Sequence, residues 1–289
     1  MAKGVRQKTK VSKPKTTTKR KGKTLRQTQG KKKNSSPLRH VTSTALWITL
    51  AVVGAILLFF VGKLIVDKAF NIQARYGDIV YPEGDVRGID ISHYQEEIDW
   101  DHLRNAELGG VPIRFIFVKA TEGTSMIDEN FNHNFYHARK NGFLRGAYHF
   151  FTTTTDPINQ AKHYCKIVQL DPDDIAPILD VETRGGLTAD QLRTNVIRWM
   201  DYVEKHYGAT PILYTSYTFR RDYLNTPEFD RYPFWIAHYY VDHLRYKGPW
   251  TFWQHSDRGH VDGIKGEVDV NVFNGTYEDL LELRVGEKE

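Results

Sequence analysis

A regular alternation of strand-like and helix-like segments begins at Val86 and constrains the fold more than any other feature. Short apolar runs, suited to buried strands, alternate with stretches that have helical spacing. Such alternation predicts a parallel sheet. The predicted strands cover residues 86–92, 113–120, 144–151, 178–182, 211–216, 234–238, 250–255 and 267–272. The predicted helices cover residues 98–107, 128–140, 157–168, 188–206 and 219–224, with Thr188 as a helix cap.

The number and order of these segments predict an α/β fold of the TIM-like (β/α)5(β)3 type. Eight strands suggest a closed barrel, and the last three strands have no helices between them. We expect this barrel to occupy residues 86–284, followed by a tail at 285–289. In barrels of this class the chemistry takes place at the C-terminal ends of the strands.

The basic residues are concentrated at the N-terminus. Residues 1–40 contain 15 Lys and Arg and no acidic residue, whereas the rest of the chain contains 25 basic and 35 acidic residues. This arm has few large apolar residues, so it cannot bury a core and is predicted to be disordered over residues 1–43. Nucleic-acid binding is the less favoured interpretation of the arm, because of the segment that follows it.

An uncharged apolar run of 19 residues, 44–62, follows the basic arm. Snorkelling of Lys63 would extend the run to residue 66, long enough to cross a bilayer. The excess of Lys and Arg before it predicts a single-pass protein of the cytoplasmic membrane with its N-terminus inside and its barrel outside. The arm would also contact anionic lipids, and residues 67–85 would form a spacer. A cleaved signal peptide is the rival interpretation, but no clear cleavage site follows.

Two acidic residues, Asp180 and Glu182, stand at the end of the fourth predicted strand. Side chains at i and i+2 of a strand point the same way, so the two carboxyl groups are predicted to lie close together. Two neighbouring carboxylates resist joint ionisation, and a protonated acid beside an ionised one suits glycoside hydrolysis. Two solvated acids at a strand end are the simpler interpretation, and the other strand ends weigh against it.

Polar and aromatic residues recur at the other strand ends. Carboxylates at the base of a cleft and aromatic rings on its walls are a common way to bind sugars. The polar residues are Asp90, Ser92, Glu122, His149, Tyr214, His238, Gln254, Asp269 and Asn271. The aromatic residues beside them are Tyr94, Tyr148, Tyr217, Trp235, Tyr239 and Trp253.

Other chemistries are disfavoured by the motifs of the chain. A zinc site built from His149, His238 and nearby acids is the main competitor, but no usual zinc-ligand spacing is present, so we expect no metal and no cofactor. The single cysteine, Cys165, falls within a predicted helix and is a poor candidate for a nucleophile.

Seven motifs, in order, resemble glycoside hydrolase family 25, the muramidases or lysozymes. They are residues 88–95 (GIDISHYQ), 117–123 (FVKATEG), 146–150 (GAYHF), 179–182 (LDVE), 235–237 (WIA), 253–254 (WQ) and 268–271 (VDVN). The resemblance covers residues 86–283 and implies a barrel of eight strands and five helices. It also implies cleavage of peptidoglycan between N-acetylmuramic acid and N-acetylglucosamine.

The resemblance assigns roles to individual residues. Glu182 resembles the general acid of the family and Asp180 its acidic partner, while Asp90 and Asp269 resemble the two other catalytic carboxylates. The expected substrate-binding residues are Tyr94, Glu122, His149, Tyr214, Trp235, Trp253, Gln254 and Asn271.

We therefore predict a monomeric, membrane-anchored lysozyme that binds peptidoglycan glycan strands. A catalytically silent, membrane-tethered peptidoglycan-binding protein is the alternative. On charge grounds we expect a raised pKa for Glu182 and an ionised Asp180.

Overall fold

The N-terminal part of the computed structural model, which describes residues 37–76 and 79–286, is one long helix. This helix, α1, covers Pro37–Tyr76. Its stretch Ser43–Ala69, 27 residues, is long and apolar enough to cross a membrane, and it includes the predicted span 44–66. The helix continues through the first ten residues of the predicted spacer. Most of the predicted disordered arm and the end of the predicted tail lie outside the described residues.

The rest of the described chain forms an eight-stranded barrel with helices around it, which confirms the predicted fold. The strands are β1 (Arg87–Ile91), β2 (Val111–Glu122), β3 (Leu144–Phe150), β4 (Ile178–Asp180), β5 (Ile212–Ser216), β6 (Phe234–Ala237), β7 (Phe252–Gly259) and β8 (Val268–Phe273). The helices are α2 (Trp100–Leu103), α3 (Phe131–Lys140), α4 (Pro157–Ile167), α5 (Ala189–Tyr207), α6 (Tyr217–Phe219) and α7 (Tyr277–Leu281).

The sheet closes because β1 pairs on both of its sides. It is parallel to β2, with Asp90 beside Phe117, and antiparallel to β8, with Asp90 beside Asp269. The strands from β1 to β7 are parallel neighbours, whereas β8 is antiparallel to β7. A loop without a helix joins β7 to β8 in the described chain. This connection covers only residues 260–267. A connection this short suits antiparallel neighbours, whereas parallel neighbours need a crossover of about a dozen residues or more, such as residues 238–251 between β6 and β7.

Both faces of the sheet are buried. The inner face packs against a core inside the barrel, and the outer face packs against a second core under the helices. Rings such as those of Phe117 and Phe252 point inward and fill the barrel, with ring centroids 5.1 Å apart. The outward side chains pack under the helices with Leu179 and Trp199. Side chains alternate between these two cores along each strand. The position of a residue in a strand therefore decides whether it can reach the mouth of the barrel.

Helix α5 shows how the local sequence sets the element boundaries. The Thr188 hydroxyl accepts a hydrogen bond from the Gln191 N–H at 3.2 Å, and the Gln191 side chain accepts one from the Thr188 N–H at 2.8 Å. This capping box confirms the predicted start of the helix. The helix ends at Gly208, whose φ of 73° favours glycine.

The segment after β1 is the largest departure from the predicted elements. Only Trp100–Leu103 of the predicted helix 98–107 is helical. A two-residue strand, Glu107–Leu108, pairs with the start of β2 through a tight turn at Gly109 and Gly110, both with positive φ. The first strand of this hairpin therefore includes Glu107, which was predicted to be the last residue of the helix. A second short strand, Met126–Ile127, and helix α7 were also not predicted.

Candidate active site

A cleft of about 230 Å³ opens at the C-terminal ends of the strands. Its lining comes from inward-facing strand positions and from the loops directly after them. The main lining residues are Asp90, Tyr94, Lys119, Tyr148, Phe150, Asp180, Glu182, Tyr214, Trp235, Tyr239, Gln254 and Asp269. The four predicted catalytic carboxyl groups thus line one cleft, although they come from three different strands and a loop.

Asp90 and Asp269 form the first of two carboxyl pairs in the cleft. They lie opposite each other where β1 and β8 pair. Burial raises the pKa of Asp90 to about 6, and its hydrogen bonds oppose that rise. Burial and then the charge of Asp90 raise the pKa of Asp269 to about 9. These shifts favour one proton in the pair near neutral pH, carried by Asp269 and directed to an ionised Asp90.

Two amide side chains complete the hydrogen bonding of Asp90. Its Oδ2 accepts hydrogen bonds from Gln254 Nε2 at 2.8 Å and from Asn271 Nδ2 at 2.7 Å. The Tyr214 hydroxyl donates to Gln254 Oε1 at 2.7 Å, and Trp235 Nε1 donates to Asn271 Oδ1 at 2.7 Å. These bonds fix both amides with their NH₂ groups toward Asp90, and such a network is rigid because every member is satisfied.

Asp180 and Glu182 form the second carboxyl pair, which is more open. Asp180 is the last residue of β4 and is 6% exposed, and its Oδ1 has no hydrogen-bond partner among the described residues. Glu182 lies just beyond the strand and is exposed. Val181 between them is fully buried in the outer core. The pair therefore presents one exposed acid beside one buried acid that has an unpartnered oxygen in the described chain.

The pKa values of this pair differ from our expectation. Burial raises the pKa of Asp180 well above its usual range, and the charges of Glu182 and Asp90 add to the rise. The direction of this shift is opposite to the expectation of an ionised Asp180. The expected rise in the pKa of Glu182 is present, but its main cause is desolvation of the carboxyl group by the surrounding protein, although the side chain keeps an exposed surface. Neighbouring acids do not cause this rise, and Lys119 opposes it.

Lys119 is a cleft residue to which the sequence analysis gave no role. Its Nζ lies 2.8 Å from Glu122 Oε2 and 5.0 Å from the centre of the Phe150 ring. Its charge lowers the pKa of both Asp180 and Glu182. The sequence did contain a signal for this role. Lys119 is two residues after Phe117, so it shares the inward face of an apolar strand, where a charged residue is unusual. Glu122, predicted to bind substrate, does not line the cleft and instead holds this lysine in place.

Tyr94 stands at the entrance of the cleft and is 77% exposed. It belongs to a short 3-10 turn, His93–Gln95, which Ser92 and Gln95 cap reciprocally. Asp128 also holds this turn, because its Oδ2 lies 2.8 Å from His93 Nδ1 and accepts the His93 backbone N–H. The exposed ring is therefore mounted on a fixed backbone, which suits contact with a sugar.

Comparison with known proteins identifies this arrangement. The family model of glycosyl hydrolases family 25 matches residues 89–264, more than half of the chain. The chain belongs to glycosyl hydrolases family 25. It is therefore a glycoside hydrolase, as the motifs predicted.

Individual members and relatives support this assignment. The family 25 chain is 44% identical to the uncharacterized protein YegX of Escherichia coli K12, over 71% of this chain and 75% of YegX. It is 32% identical to Lysozyme M1 of Streptomyces globisporus, over 68% of this chain and 71% of the other. The crystal structure of a bacterial lysozyme from Streptomyces coelicolor aligns with a TM-score of 0.64 and 31% identity, over 71% of this chain and 98% of the other.

His149, predicted to bind substrate, lies outside the family 25 cleft. It is fully buried in the outer core, where its ring stacks on Trp199 at 5.5 Å. Nδ1 bonds to the Thr121 hydroxyl at 2.7 Å and Nε2 to Gln160 Oε1 at 3.2 Å. Burial lowers the pKa of His149 to about 3, so it is a neutral structural residue. The prediction is wrong because the residue occupies an outward position of β3.

Trp253 and Asn271 also differ from the prediction of direct substrate contact. Trp253 is an outward residue of β7, is 4% exposed, and donates from Nε1 to the His238 backbone oxygen at 2.9 Å. It does not line the cleft. Asn271 is fully buried behind Asp90 and acts through its hydrogen bond to that carboxylate. Of the predicted binding residues, Tyr94, Tyr214, Trp235 and Gln254 line the cleft.

The described residues contain no group of three or more His, Cys, Asp or Glu placed to hold a metal ion. Cys165 lies in α4, away from the strand ends, and is buried. Burial raises the pKa of its thiol to about 12, which keeps it protonated and unreactive at neutral pH.

Proposed function

We propose that the protein is a lysozyme that hydrolyses the β-1,4 bond between N-acetylmuramic acid and N-acetylglucosamine in peptidoglycan. The observation that carries this proposal is the open carboxyl pair, in which the unpaired, buried Oδ1 of Asp180 lies beside the exposed acid of Glu182. A buried polar atom without a partner costs free energy unless a ligand satisfies it. The likeness to Lysozyme M1 points to the same substrate.

Glu182 is the general acid of the proposed mechanism. Its raised pKa favours a protonated carboxyl group, and its exposure lets it reach the glycosidic oxygen. It donates its proton to that oxygen as the bond to the sugar carbon breaks, a step typically worth about 10²–10⁴-fold in rate. The resulting carboxylate then takes a proton from the water that completes hydrolysis.

Asp180 acts through the 2-acetamido group of the substrate. The acetamido oxygen attacks the anomeric carbon, and Asp180 accepts a hydrogen bond from the acetamido N–H. This geometry favours retention, because two residues of one strand end cannot flank a sugar from opposite faces. Direct attack by Asp180 and activation of water by Asp180 are the competing roles, each with its own separation of carboxyl groups.

The raised pKa of Asp180 gives substrate binding a further role. Before binding, burial favours the protonated form of Asp180. A hydrogen bond from the substrate N–H to Oδ1 stabilises the carboxylate form and lowers this pKa. Binding would therefore leave the proton of the pair on Glu182, where bond cleavage requires it.

The proposed reaction is tested by measuring reducing-end release from purified peptidoglycan. The full chain should release new reducing ends, and the Glu182→Gln variant should release almost none. Glu182 is exposed, so this variant should fold as the wild type does. If the wild type released no more than the variant, the protein would be the silent peptidoglycan-binding alternative.

We further propose that residues 44–66 anchor the protein in the cytoplasmic membrane, with the barrel outside. The apolar helix and the 15 basic residues before it support this orientation. Protease added to spheroplasts should digest the barrel and spare an epitope tag at the N-terminus. Recovery of a soluble form that starts after residue 66 would contradict the anchor.

A further inference from the structure

A second hollow, of about 400 Å³, lies beyond the ends of β5 and β6. It is separate from the cleft, since the two share no lining residue. Basic and aromatic side chains dominate its walls, namely Tyr217, Arg221, Arg245, Tyr246 and Lys247. This composition contrasts with the barrel as a whole, because the chain after residue 40 carries an excess of acidic residues.

Two of the cations at this hollow have no acidic counterpart. Arg221 pairs with Asp222 at 2.7 Å. Arg245 and Lys247 are exposed, and neither forms an ion pair with any residue that the structure describes. The rim therefore carries two uncompensated positive charges, which favour an anionic ligand.

A buried arginine lies beneath the same hollow. Arg220 is 1% exposed, and its guanidinium lies 4.5 Å from the centre of the Phe234 ring and 5.9 Å from that of Tyr246. Its Nη2 donates to Asp230 Oδ1 at 3.0 Å, and Asp230 lines the hollow. Its Nε and Nη1 have no hydrogen-bond partner in the described part of the chain. This buried cation neutralises Asp230, the one carboxylate in the wall, and leaves the rim positive.

A single residue links the hollow to the catalytic cleft. His238 precedes Tyr239, which lines the cleft, and its ring stacks on Tyr217 of the hollow at 4.6 Å. The segment after His238 then runs from the cleft to the hollow, where it supplies Arg245. A polymer with one part in the cleft and a side branch of a few residues could therefore occupy both.

We propose that this hollow binds the carboxylates of the peptidoglycan stem peptide while the glycan lies in the cleft. The inference rests on the proposed function, because it takes peptidoglycan as the substrate. Each muramic acid carries its peptide on the lactyl group, so a bound strand presents carboxylates beside the sugars. Arginine binds carboxylates through paired N–H donors, and Tyr217 and Tyr246 offer ring faces for the aliphatic parts of the peptide.

The test compares two ligands with the same glycan. One is a labelled soluble glycan strand with its stem peptides, and the other is the same strand after an amidase has removed them. Equilibrium binding is measured with the full chain in detergent, carrying Glu182→Gln so that no ligand is consumed. The strand with peptides should bind about five- to tenfold more tightly, and the difference should shrink as salt is added.

Substitutions at the rim decide whether the hollow causes this preference. Arg245→Ala with Lys247→Ala should lower the affinity for the peptide-bearing strand to that for the stripped strand. Lys166→Ala with Lys205→Ala removes two exposed lysines elsewhere on the barrel and should keep the preference. Equal binding of both ligands, or a preference that survives the rim substitutions, would overturn the proposal. Because no turnover is needed, this outcome is distinct from a failure of the hydrolysis test.

Discussion

The two carboxyl pairs of the cleft have the same chemical groups and opposite surroundings. Asp90 and Asp269 face each other across two strands, and amide donors from Gln254 and Asn271 satisfy Asp90. Asp180 has an unpaired oxygen, and its partner Glu182 is exposed. One pair is complete within the protein, whereas the other is complete only with a ligand.

This difference gives the closed pair a structural task in the cleft that the open pair does not have. The closed pair holds a shared proton and anchors the network that positions Tyr214 and Trp235. The open pair keeps its hydrogen-bonding capacity for the substrate. Substitutions in the open pair should therefore impair activity without harming the fold, while those in the closed pair should lower the stability of the fold to a measurable degree.

The largest expected effect is a loss of activity in the Asp180→Asn variant. Turnover should fall by about 10²-fold or more, because an amide cannot stabilise the positive charge that develops on the substrate. The melting temperature at pH 8 should not fall, since an isosteric neutral amide replaces a buried carboxyl group whose ionisation is costly. A clear drop in melting temperature would show that the open pair supports the fold.

A smaller effect, on stability, is expected at the closed pair. Asp90→Asn can keep its one oxygen toward the donors of Gln254 and Asn271, but it then turns an NH₂ group toward the protonated Asp269 and removes the negative charge that these donors satisfy. This should cost about 1–3 kcal/mol of unfolding free energy at pH 7. Asp269→Asn is the matched control, because its amide can still donate to Asp90 as the protonated Asp269 does. Equal losses in the two variants, measured by chemical denaturation, would contradict the shared proton.

The Asp269→Asn variant also tests whether the stability of the fold rises or falls with pH. The pKa of Asp269 is raised to about 9 in the folded protein, so its contribution to stability is complete below about pH 4 and is lost as the pH rises toward 9. The wild type should therefore lose stability over this range, and Asp269→Asn should lose less.

The smallest expected effect is a shift of the pH profile in Lys119→Met. Lys119 lowers the pKa of Glu182, and its removal should raise that pKa. The basic limb of kcat/KM, which reports a protonated general acid, should move to higher pH by about one unit or less. Lys166→Met, at an exposed site outside the cleft, should leave the profile in place. A shift to lower pH would contradict the assignment of Glu182 as the acid.

The sequence allowed the barrel and the four carboxyl groups of the cleft to be predicted, because strand–helix alternation and acids at strand ends are local patterns. It did not fix which face of a strand each residue occupies. In the sequence, His149 and Trp253 are equivalent to Trp235 as residues at strand ends, yet β3 and β7 turn both side chains away from the cleft. A shift of one position along a strand moves a side chain to the other face.

The unpredicted features depend on contacts between distant segments. The ionisation of Asp180 is set mainly by burial, which charge counting along the chain does not show. Lys119 packs on Phe150 of the neighbouring strand β3, a contact that the chain around Lys119 does not reveal. Neighbour spacing gives the pairing of Asp180 with Glu182, whereas only the folded barrel brings Asp90 opposite Asp269 and distinguishes the closed pair from the open one.

The measurement that tests the account most directly is the anomeric configuration of the first product. Proton NMR during hydrolysis of a soluble peptidoglycan fragment distinguishes the two anomers before they interconvert. Participation of the substrate acetamido group beside Asp180 predicts that N-acetylmuramic acid is released first as the β anomer, with retained configuration. Release of the α anomer would contradict this role for Asp180 and would make Asp90 or Asp269 the candidate base.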